Sequence, residues 1–192
     1  MTEKPAFKKL LPLLLTAFVI LADQLTKALV VKYIPLYSLF DENSVIPVFG
    51  DIVRLIHVRN KAVAFSIGYS LPPETRRILF SFIPLVIIAV VFVFYFRNDE
   101  FTALQRWSIC GIIGGGLGNL LDRFFRPDGV VDFIDCCFFG IFGLERWPTF
   151  NVADSAVVVC GILFVLSFIV QMKAESPDTA NAPTPDTTEA SL

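Results

Sequence analysis

Asp132 and Asp154 are two carboxylates set in otherwise apolar sequence, in the segments GVVDFIDCCFFG and FNVADSAVVV. Burying a charged carboxylate among Val, Phe and Ile is costly, so each needs a physical reason. Two carboxyls brought close together cannot easily both ionise, and they then share a proton. One can act as general base and the other as general acid on a water molecule. The two aspartates therefore predict hydrolytic chemistry.

Each aspartate also has a purely structural interpretation. Asn151 is a good helix N-cap, which places Asp154 in the first helical turn, where a negative charge interacts well with the helix dipole. The same position would make Asp154 the more acidic partner of a pair. Asp132 and Asp135 could instead be solvent-facing residues of an amphipathic strand or turn. Asp135 is the nearest competitor to Asp132 for a catalytic role.

The sequence offers few residues for the other common hydrolytic mechanisms. His57 is the single histidine, and neither an HExxH motif nor a nucleophile elbow is present. The four cysteines show no CxxC spacing and no histidine partners, which argues against zinc. Those in apolar runs, Cys110 and Cys160, are predicted to be buried free thiols; the adjacent ones are Cys136 and Cys137.

The elements that must position these residues are membrane helices. Of the 192 residues 55% are hydrophobic and only 18% are charged, and the apolar residues form long runs. A helix needs roughly 20 apolar residues to cross a bilayer. The first run is not a signal peptide, because it is too long, lacks a small-residue cleavage site and contains Asp23 and Lys27. The fold is predicted to be an α-helical polytopic membrane protein with four transmembrane helices, at about 10–31, 78–96, 103–121 and 152–171.

The segments between these helices differ in character. An even number of spans puts both termini on one side, and Lys4, Lys8 and Lys9 favour a cytoplasmic N-terminus, giving an N-in/C-in topology. The outer segment 36–76 is rich in Val, Ile and Phe and partly alternates, which predicts short strands on the membrane surface. The second outer segment is 122–151. Residues 1–173 are predicted to form one membrane domain, and 174–192 are predicted to be a disordered cytoplasmic tail.

Polar residues recur near the outer ends of the helices. Asp23 and Lys27 are four residues apart on one face of the first helix, where they can form an ion pair. In the structural interpretation of this pair, Lys27 extends to the membrane interface. Asn119, Asp122 and Arg123 form one polar stripe on the third helix. This stripe either caps the helix by salt bridges, or it holds a substrate backbone or orients an active-site group.

Glycines precede this stripe in CGIIGGGLGNLLDRF. Gly111 and Gly115, and likewise Gly114 and Gly118, are four residues apart. Such pairs of small residues let another helix approach closely. Packing is the expected role of these glycines.

These motifs, taken together, resemble the lipoprotein signal peptidases (signal peptidase II), the membrane aspartic peptidases of bacteria. The resemblance covers about residues 10–172 in collinear order. Any one motif is weak evidence, but five in order are specific. They are LADQLTK (21–27), RNKAVAFS (59–66), GGGLGNLLDRF (114–124), VVDF (130–133) and FNVADSA (150–156).

The resemblance implies a function and a place in the cell. The family removes the signal peptide from prolipoproteins, cutting just before a diacylglyceryl-cysteine, in the bacterial cytoplasmic membrane with the active site at the extracytoplasmic face. It uses two aspartates, here Asp132 and Asp154, without metal or cofactor, and carries a small extracytoplasmic β-cradle. The implied partners are diacylglyceryl-prolipoproteins and the lipid bilayer; we expect a monomer and no nucleic-acid partner. The implied supporting residues are Asp23, Lys27, Asn60, Gly115, Asn119, Asp122, Arg123 and Asn151.

One motif departs from the family pattern. The family usually shows Asn-Thr-Gly-Ala-Ala-Phe where this chain has Asn60, Lys61, Ala62, Val63, Ala64 and Phe65. We expect the missing glycine and the added lysine to affect the shape of this loop and its contacts with substrate.

Two other functions would use these polar residues differently. A presenilin-type intramembrane protease would cut unlipidated helices, but its Gly-x-Gly-Asp motif is missing here. A small transporter or assembly factor could use Asp23, Asp122 and Asp154 to handle protons or ions. Its polar residues should reach the middle of the membrane, whereas these cluster at the outer ends, which favours an interfacial site.

Overall fold

The computed structural model describes residues 5–61, 70 and 72–174. Within them the chain forms a short helix and four long ones, joined at one end to a small sheet. The predicted tail lies outside the described residues, apart from Ala174. The helices are α1 (Pro5–Leu10), α2 (Leu13–Tyr33), α3 (Pro73–Arg97), α4 (Ala103–Phe125) and α5 (Val152–Ala174).

Three of the described helices are long and apolar enough to cross a membrane, over Lys8–Tyr33, Glu74–Arg97 and Val152–Met172. None of the most apolar stretch of the last span is buried within the protein. Such a surface is unfavourable in water and suits a lipid environment. The prediction of four spans is therefore only partly confirmed. Helix α4 lies where it was expected, but it falls short of the three spans in apolar character because glycines and polar side chains replace large apolar residues along it.

Helix α4 is the centre of the bundle and packs against α2, α3 and α5. Its glycines make this possible, as predicted. A Cβ atom on Gly115 would lie 2.3 Å from the Ala153 carbonyl oxygen of α5, and one on Gly114 would lie 3.1 Å from the Thr16 backbone of α2. These approaches bring the polar residues of three helices into one region.

The sheet has three antiparallel strands in the order β1-β2-β3, namely β1 (Val45–Phe49), β2 (Val53–Asn60) and β3 (Val130–Cys136). The short strands predicted in the first outer segment are confirmed, and the second segment supplies β3. An apolar cluster of Val30, Ile34, Val131 and Phe133 packs β3 against α2. We call this end of the bundle the sheet end. Which membrane side it faces stays a prediction.

Candidate active site

Asp132 lies in β3 and is only 3% exposed. Its Oδ2 accepts a hydrogen bond from Asn60 Nδ2 at 2.9 Å, and its Oδ1 accepts one from Asn151 Nδ2 at 2.7 Å. Burial, together with the neighbouring charge of Asp154, raises the pKa of Asp132 to about 7. The alternative of a solvent-facing Asp132 is wrong, because the strand presents this carboxyl to α5 and β2 rather than to water.

Asp154 occupies the first turn of α5. Its backbone N–H donates to the Asn151 side-chain oxygen at 2.9 Å, and its Oδ2 accepts from the Asn151 N–H at 3.1 Å. This reciprocal arrangement is a capping box, so the predicted capping role is confirmed. Its other oxygen, Oδ1, accepts a 2.7 Å hydrogen bond from Asn119 Nδ2. Capping therefore fixes the orientation of Asp154 and leaves it tied to the rest of the site.

Two asparagine amides join the two carboxyls. Asn151 Nδ2 donates to Asn119 Oδ1 at 3.0 Å and also to Asp132 Oδ1 at 2.7 Å. Since Asn119 in turn donates to Asp154, a continuous chain of hydrogen bonds connects Asp154 to Asp132. The two predicted catalytic aspartates are thus held in one site by side chains from α4 and the start of α5.

Lys27 lies behind this chain of amides. Its Nζ is 2.9 Å from Asn119 Oδ1, 2.7 Å from Asp23 Oδ2 and 3.1 Å from Asp122 Oδ2. The predicted Asp23–Lys27 ion pair is present. The expectation that Lys27 extends to the interface is wrong, since its side chain is 0% exposed. Asp122, together with Asp23 and Asn119, gives each of the three N–H groups of this fully buried ammonium a partner.

The two carboxylates on Lys27 also hold the backbone beside each catalytic candidate. Asp23 Oδ1 accepts from the Ala153 N–H at 3.0 Å, and Asp122 Oδ2 accepts from the Val131 N–H at 3.0 Å. Ala153 and Val131 each immediately precede one of the two aspartates. Through these contacts the ion-pair cluster fixes the position of α5 and β3.

Gln24 is a residue of this cluster that the sequence analysis did not assign. Its Nε2 lies 3.0 Å from both Asp122 Oδ1 and the Gly118 carbonyl oxygen, and 3.2 Å from Asp23 Oδ2. The available signal was a second polar side chain next to Asp23 within an apolar helix.

Arg123 diverges from the other members of the predicted stripe. Asn119 and Asp122 point to Lys27, whereas the Arg123 guanidinium lies 5.7 Å from the centre of the Phe80 ring. It interacts electrostatically with both Asp132 and Asp154. It also lines a cleft of about 280 Å³ to which Asn60 contributes. A substrate in this cleft would lie next to the aspartate pair.

Known proteins are similar to this chain in sequence and in fold. The sequence profile of the family described as signal peptidase (SPase) II matches residues 15–170. The chain belongs to the signal peptidase II family. It is 48% identical over 166 residues to a lipoprotein signal peptidase of Treponema pallidum (strain Nichols), covering 86% of this chain and 87% of that protein. It is 53% identical over 161 residues to the one of Treponema denticola, covering 84% and 90%. The resemblance inferred from the motifs is confirmed.

Solved structures agree with this membership. A bacterial membrane enzyme determined by the in meso method at 2.3 Å resolution superposes with a TM-score of 0.71 at 25% identity, covering 86% of this chain and 91% of that chain. A second such structure, at 1.9 Å, gives a TM-score of 0.67 at 26% identity, covering 82% and 91%. The helical bundle with its small sheet is thus a fold shared with known membrane enzymes.

In the present member of the signal peptidase II family, Asp135 forms an ion-pair cluster apart from the aspartate pair. It lies three residues after Asp132 on the same strand, so the two side chains point to opposite faces. Arg54 Nε donates to Asp135 Oδ2 at 2.8 Å, and Arg146 Nε donates to its Oδ1 at 2.7 Å. Asp135 is 3% exposed, so the expectation that it faces solvent is also wrong.

The remaining nucleophile and base candidates make other contacts. His57 is buried, with Nδ1 3.0 Å from the Ile34 carbonyl oxygen, and burial lowers its pKa. The cysteines are free thiols.

Cys110 is buried as predicted. Cys160 is partly exposed, because it lies on α5, which is little covered by other helices. In the RNKAVAFS motif, which departs from the family pattern, residues 62–66 lie outside the described residues.

Proposed function

We propose that this chain is an aspartic endopeptidase that removes the signal peptide from diacylglyceryl-modified prolipoproteins, cutting just before the lipidated cysteine. The observation that carries the proposal is the pair of carboxyls, Asp132 and Asp154, linked by hydrogen-bonded asparagine amides. Membership of the signal peptidase II family supplies the substrate class.

The two carboxyls have different surroundings, which suggests different roles. Asp154 accepts a backbone N–H at a helix N-terminus, where negative charge is favoured. Asp132 is buried and keeps its proton up to about pH 7. We assign Asp154 as the general base and Asp132 as the general acid.

Hydrolysis then proceeds in two steps. Asp154 takes a proton from water as the water oxygen attacks the scissile carbonyl carbon, and Asp132 donates its proton to the carbonyl oxygen. The product is a neutral tetrahedral diol. When it collapses, the carbon–nitrogen bond breaks, Asp154 gives its proton to the leaving cysteine nitrogen, and Asp132 regains a proton from a diol hydroxyl. Both carboxyls return to their starting states.

Most of the other predicted residues act by positioning this pair. Asn119 and Asn151 orient the carboxyls directly. Asp23, Lys27 and Asp122 fix the backbone before each aspartate. In addition, Asn60 and Arg123 hold the extended substrate backbone, and Gly115 lets α4 reach α5.

We further propose that α4 is the fourth span, in an N-in/C-in monomer with its active site at the extracytoplasmic face. Because α2, α3 and α5 surround α4, its polar residues need not face lipid. The signal helix of the substrate then enters sideways between the spans. Its lipid stays in the bilayer while the scissile bond reaches the sheet end.

A cleavage assay tests the proposal. Purified protein is mixed with a diacylglyceryl-modified prolipoprotein or with its unmodified form, and the products are resolved by mass. We expect cleavage of the modified form alone. Asp132→Asn and Asp154→Asn should each lower the cleavage rate by about 10²- to 10⁴-fold, the contribution typical of general acid or base catalysis.

Asp135→Asn is the matched control, since it changes an equally buried aspartate on the same strand. Its rate per folded molecule should stay close to that of the wild type. Full activity of folded Asp154→Asn would refute the assignment of the pair. Absence of cleavage of both substrates by the folded protein would refute the peptidase function itself.

A further inference from the structure

The cleft beside Asn60 is strongly basic. Among the described residues that line it, five carry positive charge and one carries negative charge: Lys61, Arg76, Arg77, Arg123 and Arg126 against Glu74. The cations come from three elements, at the end of β2, the start of α3 and the end of α4. This basic cleft is therefore a feature of the assembled fold rather than a charge run in the sequence.

The basic cleft adjoins the aspartate pair. Asn60 lines it and also donates the 2.9 Å hydrogen bond to Asp132. Arg123 lines it and interacts electrostatically with both aspartates. A group bound there would contact side chains that also interact with the aspartate pair.

Among the described residues that line the basic cleft, the cations outnumber the carboxylates even when Arg126 is set against Asp122. Arg126 has an ion-pair contact with Asp122, at 3.5 Å, in a cluster where Lys27 pairs with both Asp122 and Asp23, so two carboxylates stand against two cations there. Arg77 and Lys61 are exposed. The cleft consequently favours a ligand segment that carries negative charge.

The path of the substrate along the protein indicates which segment of the substrate would occupy the cleft. Under the proposed function, the signal helix lies between apolar spans, so the polar chain after the cysteine must leave at the sheet end. The basic cleft is at that end and next to the dyad. We propose that it binds the first residues after the lipidated cysteine and selects prolipoproteins with acidic side chains there. This inference rests on the proposed function and adds a specificity to it.

Peptide charge provides the test. Three diacylglyceryl-modified peptides, identical except for Glu, Ser or Lys at the second to fourth positions after the cleaved bond, are compared by kcat/KM in a neutral detergent. We expect Glu to exceed Ser and Ser to exceed Lys, with about three- to tenfold between neighbours, the size of one or two exposed ion pairs. Rising salt should narrow the differences.

Charge variants of the protein locate the effect. Arg77→Gln should reduce the preference for Glu, and Arg77→Glu should favour the Lys peptide. The readout is the ratio of kcat/KM for each charged peptide to kcat/KM for the Ser peptide with the same variant, because a merely structural role of Arg77 would change all three rates alike and leave these ratios unchanged. Arg97→Gln is the matched control, because Arg97 is an exposed arginine in the last turn of the same helix.

The outcomes separate this inference from the proposed function. Equal cleavage of all three peptides, or an unchanged preference in Arg77→Glu, overturns the inference alone. It is also overturned if phosphatidylglycerol added to the detergent raises all three rates equally and peptide charge has no effect, since the cleft would then bind an anionic lipid headgroup. Failure to cleave any of the peptides overturns both.

Discussion

At the scale of single residues, burial is the main reason that Asp132 keeps its proton, against the effect of the hydrogen bonds it accepts. Asp132 receives hydrogen bonds from two neutral side-chain amides in a buried setting. Asp154 receives a backbone N–H at the positive end of a helix as well as an amide. Two chemically identical groups thus become distinct because one is on a strand and the other starts a helix.

This difference predicts the high-pH limb of the activity profile. The pKa of Asp132 is about 7, and the proposed acid must be protonated, so kcat/KM should fall as pH rises above about 7. The hydrogen bond from Asn60 lowers this pKa, so Asn60→Ala should raise it and move the limb to higher pH. Rates measured with the Ser peptide between pH 5 and 9 check this, because that peptide adds no ionising side chain. A shift to lower pH in Asn60→Ala would contradict the assignment.

Lys27 supports a prediction about stability and activity together. Lys27→Met leaves Asp23 and Asp122 buried without their shared cation, and breaking a buried ion pair typically costs about 3–5 kcal/mol. We expect a marked loss of thermal stability in detergent and loss of cleavage. Lys32→Met, which removes an exposed lysine from the last turn of the same helix, is the control. Similar melting temperatures for both variants would contradict a role for the buried cluster.

The same lysine marks a limit of inference from sequence at this scale. The spacing of Asp23 and Lys27 was enough to predict their ion pair, because it depends on one helix alone. The burial of Lys27 was not predictable, because it depends on Asp122 from α4. The pairing of Arg54 with Asp135 was missed for a similar reason: the two are 81 residues apart and meet only through the register of β2 with β3.

At the scale of elements, the approach of α4 to α5 determines where Asp154 lies. Gly115→Ala would place a methyl group 2.3 Å from the Ala153 carbonyl oxygen, so one helix must shift. We expect a lower melting temperature and a fall in kcat/KM of tenfold or more, since small displacements of catalytic groups are costly. The comparison is Gly161→Ala on α5, where an added Cβ meets nothing within 4 Å. If the two variants behaved alike, close packing at Gly115 would not be what positions the dyad.

Element boundaries were predictable where composition changes abruptly. The predicted starts at 103 and 152 match α4 and α5. Helix α3 begins at Pro73 rather than 78, because its first turns contain Glu74 and two arginines that interrupt an apolar run without interrupting a helix. Proline at the first helical position is a favourable start. Hydropathy therefore located the lipid-facing part of this helix and missed its polar beginning.

At the scale of the whole molecule, exposed apolar helix surfaces surround a polar network that is confined to one end. The network connects α2, α4, α5 and β3, so the site exists only when the bundle and the sheet have assembled. The aspartate pair could be named from sequence because both residues lie in short motifs. The basic cleft could not, because its charges come from separate elements.

The buried acid also links catalysis to the stability of the whole molecule. The pKa of Asp132 is raised from 3.8 to about 7, so the folded state holds a proton that the unfolded chain releases. The stabilisation this provides is fully present below about pH 4. It is lost as pH rises to about 7, at roughly 1.4 kcal/mol per unit of pKa difference, or up to about 4 kcal/mol. Ionised Asp132 therefore destabilises the enzyme at alkaline pH.

Asp132→Asn should remove this penalty while abolishing cleavage. One amide oxygen cannot accept from both Asn60 and Asn151 in their present orientations, which offsets about 1 kcal/mol of the gain. At pH 8 we expect the variant to melt at a higher temperature than the wild type, and at pH 4.5 the advantage should largely disappear. Asp135→Asn should melt at a lower temperature than the wild type at pH 8, because it removes the carboxylate that pairs with Arg54 and Arg146. Thermal unfolding in detergent at the two pH values decides. An Asp132→Asn variant less stable than the wild type at pH 8 would mean that this carboxylate is satisfied in its ionised form, and the assignment of Asp132 as the acid would fall with it.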